Sequence, residues 1–252
     1  MTTVIQAQDV SFSYGGEPIL TKIGFSVCKG DFVAIIGQNG AGKSTLIKLL
    51  LGLLPLQSGS IRLFDREIRR FKDWPKIGYV PQNGISGAGF PATAEEIVRL
   101  NLYSQIGPLR FPKKVHAEKV KKALELVSME KHAKSLIGSL SGGQLQRVMI
   151  ARVLVSGPEV MLLDEPTTGI DTKAAQALYE LLARLNRETG LTIAMVTHDI
   201  ARASDYVSRT LCLEEGSLVE LQREQVKEEL SHKHKHPHII WRDAEENMGN
   251  DL

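Results

Sequence analysis

The residues best suited to chemistry lie in one glycine-rich run, Gly37-Gln38-Asn39-Gly40-Ala41-Gly42-Lys43-Ser44-Thr45, which satisfies the pattern G-x-x-x-x-G-K-[ST]. Glycines let successive backbone N–H groups curl around phosphate oxygens at a helix N-terminus. The lysine that follows neutralises the outer phosphates, and the neighbouring Ser44 hydroxyl suits Mg²⁺. A merely structural glycine turn ahead of a helix needs none of these residue types in this order. From average composition the pattern arises by accident in about one chain in a hundred of this length. The run therefore points to a bound nucleoside triphosphate.

Asp164 and Glu165 end a stretch, Val160-Met161-Leu162-Leu163, that carries no other charge. Two carboxylates at the end of a buried strand are costly unless they act. Asp164 would serve the Mg²⁺ shell, and Glu165 could polarise a water for attack on the γ-phosphate. A solvated strand end before the Pro166 turn is the plainer alternative. Leu140-Ser141-Gly142-Gly143-Gln144 precedes an amphipathic stretch, with Ser141 a natural N-cap, and a second glycine-rich helix start is a second anion grip.

The elements that must carry these groups follow from the apolar pattern. Phe32-Val33-Ala34-Ile35-Ile36, Val160-Met161-Leu162-Leu163 and Thr192-Ile193-Ala194-Met195-Val196 are continuously apolar, as strands buried on both faces of a parallel sheet are. Each ends in polar residues, and in open α/β sheets ligands sit beyond the carboxyl ends of strands. The three ends are expected to face one site. Looser alternation over 3–10 and 23–27, with Tyr14-Gly15-Gly16-Glu17-Pro18 between, predicts an antiparallel hairpin region. An apolar helix is expected over 45–54, and helical spacing without strands over 94–103, 115–127 and 141–155 predicts a helical insertion.

The 252 residues suit one large domain or a core with a modest subdomain, and 42% hydrophobic against 24% charged residues suits a folded chain. Lys+Arg 31 against Asp+Glu 29 gives no basic footprint for nucleic acid. The longest apolar stretch, 47–56, is about half of the ~20 residues a membrane span needs, and no secretory signal is expected at the start. Cys28 and Cys212, without a CxxC partner, fit reduced thiols in cytosol.

Together these motifs resemble the ATP-binding cassette (ABC) ATPases over about residues 3–220. The resemblance implies an α/β P-loop NTPase core with an antiparallel β subdomain and a helical subdomain at about 84–156. It makes Tyr14 the adenine-stacking aromatic, Gln82 of Tyr79-Val80-Pro81-Gln82 the Q-loop amide facing Mg²⁺ or the lytic water, and Ser141, Gly142, Gly143 and Gln144 the signature motif. Asp171 of Thr168-Gly169-Ile170-Asp171 becomes the D-loop aspartate, in wording that departs from the commoner Ser-Ala-Leu-Asp. His198 of Thr197-His198-Asp199 becomes the switch histidine reaching the γ-phosphate. It further implies a homodimer that sandwiches two ATP molecules, each between the 37–45 loop of one copy and the signature of the other.

A lone ABC subunit of this size resembles the motor of a bacterial importer on the cytoplasmic face of the membrane. Such a motor docks on integral permease subunits and, through them, works with an extracytoplasmic metal-binding protein. Gly89-Phe90-Pro91-Ala92-Thr93-Ala94-Glu95-Glu96-Ile97-Val98 resembles the zinc and manganese uptake group, and 82–98 is the expected docking surface. The charged appendage 221–252 carries His232, His234, His236 and His238. In an extended strand this alternation puts the imidazoles on one side, where they could share Zn²⁺, unless the tail is merely solvated. Imidazole favours Zn²⁺ over Mn²⁺ as the cargo. An exporter or lipoprotein-release motor and an iron–sulfur assembly ATPase are the alternatives.

Overall fold

The computed structural model of the protein describes residues 2–82, 91–103, 113–222 and 225–226. Strands β1 (Thr3–Ser13) and β2 (Pro18–Cys28) pair antiparallel, joined through the Tyr14–Glu17 turn. β4 (Ser58–Leu63) lies on the other side of β1 and β5 (Arg66–Glu67) at the edge, in the order β2-β1-β4-β5. The second sheet is built from β3 (Phe32–Ile36), β6 (Ile77–Val80), β7 (Val160–Asp164), β8 (Thr192–Val196), β9 (Arg209–Glu214) and β10 (Ser217–Leu221). Its strand order is β10-β9-β3-β8-β7-β6. Every pairing in it is parallel except the β9–β10 hairpin.

The continuous apolar runs of β3, β7 and β8 divide between two cores by their period of two. Phe32, Ala34, Ile36, Met161, Leu163, Ile193 and Met195 face the helical side of the sheet. Val33, Ile35, Val160, Leu162, Ala194 and Val196 face α1 (Lys43–Leu50) and the antiparallel sheet. Both faces are covered, so a polar residue is tolerated only at a strand end.

The helical stretch contains α2 (Ala94–Arg99), extended by a 3₁₀ turn over Leu100–Leu102, then α3 (Lys114–Leu126) and α4 (Gly142–Leu154). Reciprocal capping boxes open two of them. Thr93 N–H donates to Glu96 Oε2 at 2.8 Å and Ser141 N–H to Gln144 Oε1 at 2.9 Å, each answered by the cap hydroxyl. Helix α1 is shorter than the expected 45–54. It starts at Lys43, and it stops before Gly52, whose φ of +65° turns the chain out of the helix. Beyond β7 come α5 (Thr172–Thr189) and the short α6 (Ile200–Ala203). α5 closes on Gly190 at φ +69°.

One guanidinium ties the two sheets together. Arg209 on β9 forks onto Glu220 of β10, with Nε–Oε1 and Nη2–Oε2 both 2.7 Å. It also donates from Nη1 to Asp31 Oδ2 at 3.0 Å and to the Ser26 carbonyl of β2 at 2.9 Å. The pairing holds the Glu220 carboxyl below its ordinary range, the bond from Arg209 being the largest cause. A carboxylate lowered on folding contributes stability above its unfolded pKa of about 4.3 and loses it as pH falls through the folded value. Arg209→Met is therefore expected to lose about 1–2 kcal/mol of unfolding free energy at pH 7, a modest figure because Glu220 is partly solvated. Denaturant titrations should show the gap to the unsubstituted protein narrowing below pH 4. A gap constant from pH 7 to pH 3 would assign Arg209 a packing role alone.

Candidate active site

The carboxyl ends of β3, β8 and β7 are neighbours in the sheet, and the polar clusters that follow them meet there. The 37–45 loop leaves β3 beneath β9: a Cβ on Gly37 would stand 2.2 Å from the Leu213 carbonyl oxygen. Gly42 at φ +98° is the N-cap of α1 and offers no side-chain cap. The first-turn N–H groups of α1 are thus left for an anion. Ala41 N–H closes the loop onto the Gln38 carbonyl at 3.2 Å.

Lys43 is buried, and its Nζ donates to the Gly37 and Gln38 carbonyls at 2.9 Å each and lies 3.8 Å from Glu165 Oε1. Burial pushes the ammonium below its ordinary pKa, opposed by the Glu165 and Asp164 charges. The Ser44 hydroxyl donates to Asp164 Oδ1 at 3.1 Å. Asp164 is 4% exposed, and burial pushes its carboxyl upward against the Ser44 bond. This hydroxyl–carboxylate pair is an all-oxygen donor set that fits a hard, small cation such as Mg²⁺.

Glu165 takes an unusual backbone conformation, φ +48° immediately before Pro166, with its N–H donating to Val196 O at 2.9 Å. Its Oε2 receives His198, the Nδ1 lying at 2.6 Å, while more than half of the imidazole surface remains exposed. One carboxylate therefore faces the lysine through one oxygen and the histidine through the other. A cleft of about 250 Å³ is lined by Asn39, Gly40, Lys43, Ser44, Gln82 and Glu165, which brings Gln82 to the same place. At its side Tyr14 is 59% exposed, edge-on to Phe12, with its hydroxyl 3.5 Å from Thr45 Oγ1. An exposed ring held beside a phosphate loop can stack on a base.

Ser141, Gly142, Gly143 and Gln144 do not line that cleft. Gly142 and Gly143 pack on the start of α5 and the turn before it, where a Cβ on Gly143 would meet Ala174 Cβ at 2.7 Å and one on Gly142 would meet Ile170 at 3.1 Å. Asp171 caps α5, accepting from Lys173 and Ala174 N–H at 3.0 Å each. Between Thr168, Ile170, His198 and Asp199 lies a second cleft of about 380 Å³. His232, His234, His236 and His238 lie outside the described residues, as do 83–90 of the expected docking surface. Sequence reasoning passes over the buried side chains of Thr167 and Tyr179, and it places Thr197 only as part of the polar end of β8. A tyrosine at a core-facing helical position, or a threonine beside a motif, carries no spacing signal of its own.

Among known proteins, the ABC transporter family profile matches residues 20–168, more than half of the chain. The zinc uptake system ATP-binding protein ZurA of Listeria monocytogenes is 44% identical over 214 residues, covering 84% of this chain and 83% of that one. The manganese transport system ATP-binding protein MntB of Bacillus subtilis is 41% identical, covering 83% and 82% respectively. A dimeric ATP-binding cassette solved in a post-hydrolysis state with ADP and Pi superposes with a TM-score of 0.71 at 29% identity, covering 87% of this chain and 98% of that one. With the glycine loop, the paired carboxylates and the signature helix all in place, the chain belongs to the ABC transporter family and is one of its ATPase cassettes.

Proposed function

We propose that the chain is the ATP-driven motor of a divalent-metal importer, working as a homodimer on the cytoplasmic face of the membrane beneath integral permease subunits. Zinc is the preferred cargo, and an extracytoplasmic metal-binding protein feeds the permease. The observation that carries the motor is the convergence of Lys43, Ser44, Asp164, Glu165 and His198 on adjoining strand ends. The relatives named for zinc and manganese uptake support the cargo class.

In this reading ATP enters with its base on Tyr14 and its phosphates along the N–H groups of 37–45, where Lys43 exchanges its loop carbonyls for phosphate oxygens. Ser44, Asp164 and Gln82 would hold Mg²⁺, which supplies charge neutralisation of the phosphates. Glu165 takes the proton of the attacking water. His198 keeps that carboxylate oriented and bonds the γ-phosphate. Ser141, Gly142, Gly143 and Gln144, with Asp171 nearby, complete the site of a second copy, since they stand outside the cleft of their own chain. Closure on ATP and reopening after hydrolysis then drive the permease. The His232–His238 tail lies on the delivery side, where it binds arriving Zn²⁺ and slows the motor in replete cells.

Glu165→Gln should retain ATP while losing turnover by about 10²-fold or more; near-normal phosphate release would remove Glu165 from the mechanism. Asp164, raised on folding, destabilises the protein at neutral pH, because a group with a raised folded pKa contributes its stability only below that value. Asp164→Asn is accordingly expected to melt at or above the temperature of the unsubstituted protein without nucleotide, yet to lose the Mg²⁺ dependence of ATP binding. A clear drop in melting temperature would contradict this balance. Deleting residues 232–252 should leave ATP hydrolysis intact and relieve inhibition by micromolar zinc. Calorimetry showing no zinc bound to the intact chain would remove the tail's role, and uptake that depends on the gene for manganese alone would overturn the zinc preference.

A further inference from the structure

Behind the Glu165–His198 pair is a polar group that core packing does not require. Tyr179 sits on α5 at 0% exposure among apolar neighbours, its ring stacked on Tyr206 with centroids 6.0 Å apart. A phenylalanine or leucine would fill the same volume, and a buried hydroxyl is costly without partners. Here it has one. Its oxygen lies 3.3 Å from Thr197 Oγ1, a hydroxyl that is itself fully buried, and on the other side of that bond Thr197 leads directly into His198.

The position of Thr197 in the chain gives this bond its meaning. Thr197 immediately precedes His198, and its Oγ1 accepts Asp199 N–H at 3.0 Å, so one hydroxyl spans the histidine. Thr197 N–H is tied to Ile35 O of β3 at 3.1 Å. The Glu165 turn is held at φ +48° before a proline, a conformation that persists only where its surroundings over-determine it.

We propose that the Tyr179 hydroxyl is a positioning group for hydrolysis: by bonding Thr197 it fixes the turn that carries His198 against α5, so that the imidazole keeps its place on the Glu165 carboxylate. This role rests on the hydrolytic reading of Glu165 and His198. It acts on geometry and leaves the phosphate loop untouched, so it should appear in turnover and not in ATP affinity.

The test is Tyr179→Phe in the full-length protein, with steady-state ATP hydrolysis, fluorescent-nucleotide binding and thermal melting measured together. The expected result is a kcat lower by about tenfold with KM and nucleotide affinity within about twofold, as for a small misplacement of reacting groups. Thr197→Val combined with Tyr179→Phe should fall no further than Thr197→Val alone, because one link cannot be broken twice. A kcat within twofold of the unsubstituted protein, fully additive losses, or a loss of turnover matched by losses of nucleotide binding and folded fraction would each overturn the role. An unsubstituted protein that binds but does not hydrolyse ATP would instead overturn the functional reading beneath it.

Discussion

A buried ammonium set against two buried carboxylates organises this molecule. Lys43 stands 3.8 Å from Glu165, and Asp164 beside it is engaged by Ser44. None of these charges is tolerated inside a fold unless its partners are held close. The requirement explains why the loop leaves a strand buried on both faces, why α1 begins at Lys43, and why the two carboxylates sit at the first polar positions after β7. It also explains the opposite pKa directions: burial lowers the lysine and raises Asp164, so each charge is under-compensated in the protein alone. A polyphosphate with a divalent cation supplies what each lacks.

The residues of the signature motif stand apart from this cluster. The signature residues open α4 and lean on the start of α5, and a close Gly143–Ala174 approach makes that helix pair one block with the D-loop. The same start of α5 is capped by Asp171 and adjoins the turn that follows Glu165. α5 also carries Tyr179 to the back of the Glu165–His198 pair, through Thr197.

Much of this was legible because three strands needed two apolar faces and so could carry polar residues only at their ends. The glycine loop, Asp164, Glu165 and His198 stand out against such strands, and the Ser141 cap marked α4. α1 ran short because an apolar run continues past Gly52, where the backbone turns and not the hydropathy. The β9–β10 hairpin was harder to read: Ser217–Leu221 begins a charged stretch, yet it pairs along its length with β9 and is pinned by Arg209. The Tyr179 hydroxyl was invisible, since a tyrosine on an apolar helix face reads as volume and only the fold brings it to Thr197.

The central claim is that each nucleotide site is completed across two copies, the phosphate loop of one against the signature of the other. Asn39→Cys and Ser141→Cys introduced together in the Glu165→Gln protein test it directly, because the native Cys212 is buried and Cys28 partly so. Mild oxidation with Mg²⁺ and ATP is expected to yield a disulfide-linked dimer on non-reducing gels, absent without nucleotide and absent when either cysteine is introduced alone. A chain that stays monomeric under the same oxidation, or that closes the two cysteines within one copy, would contradict the composite site.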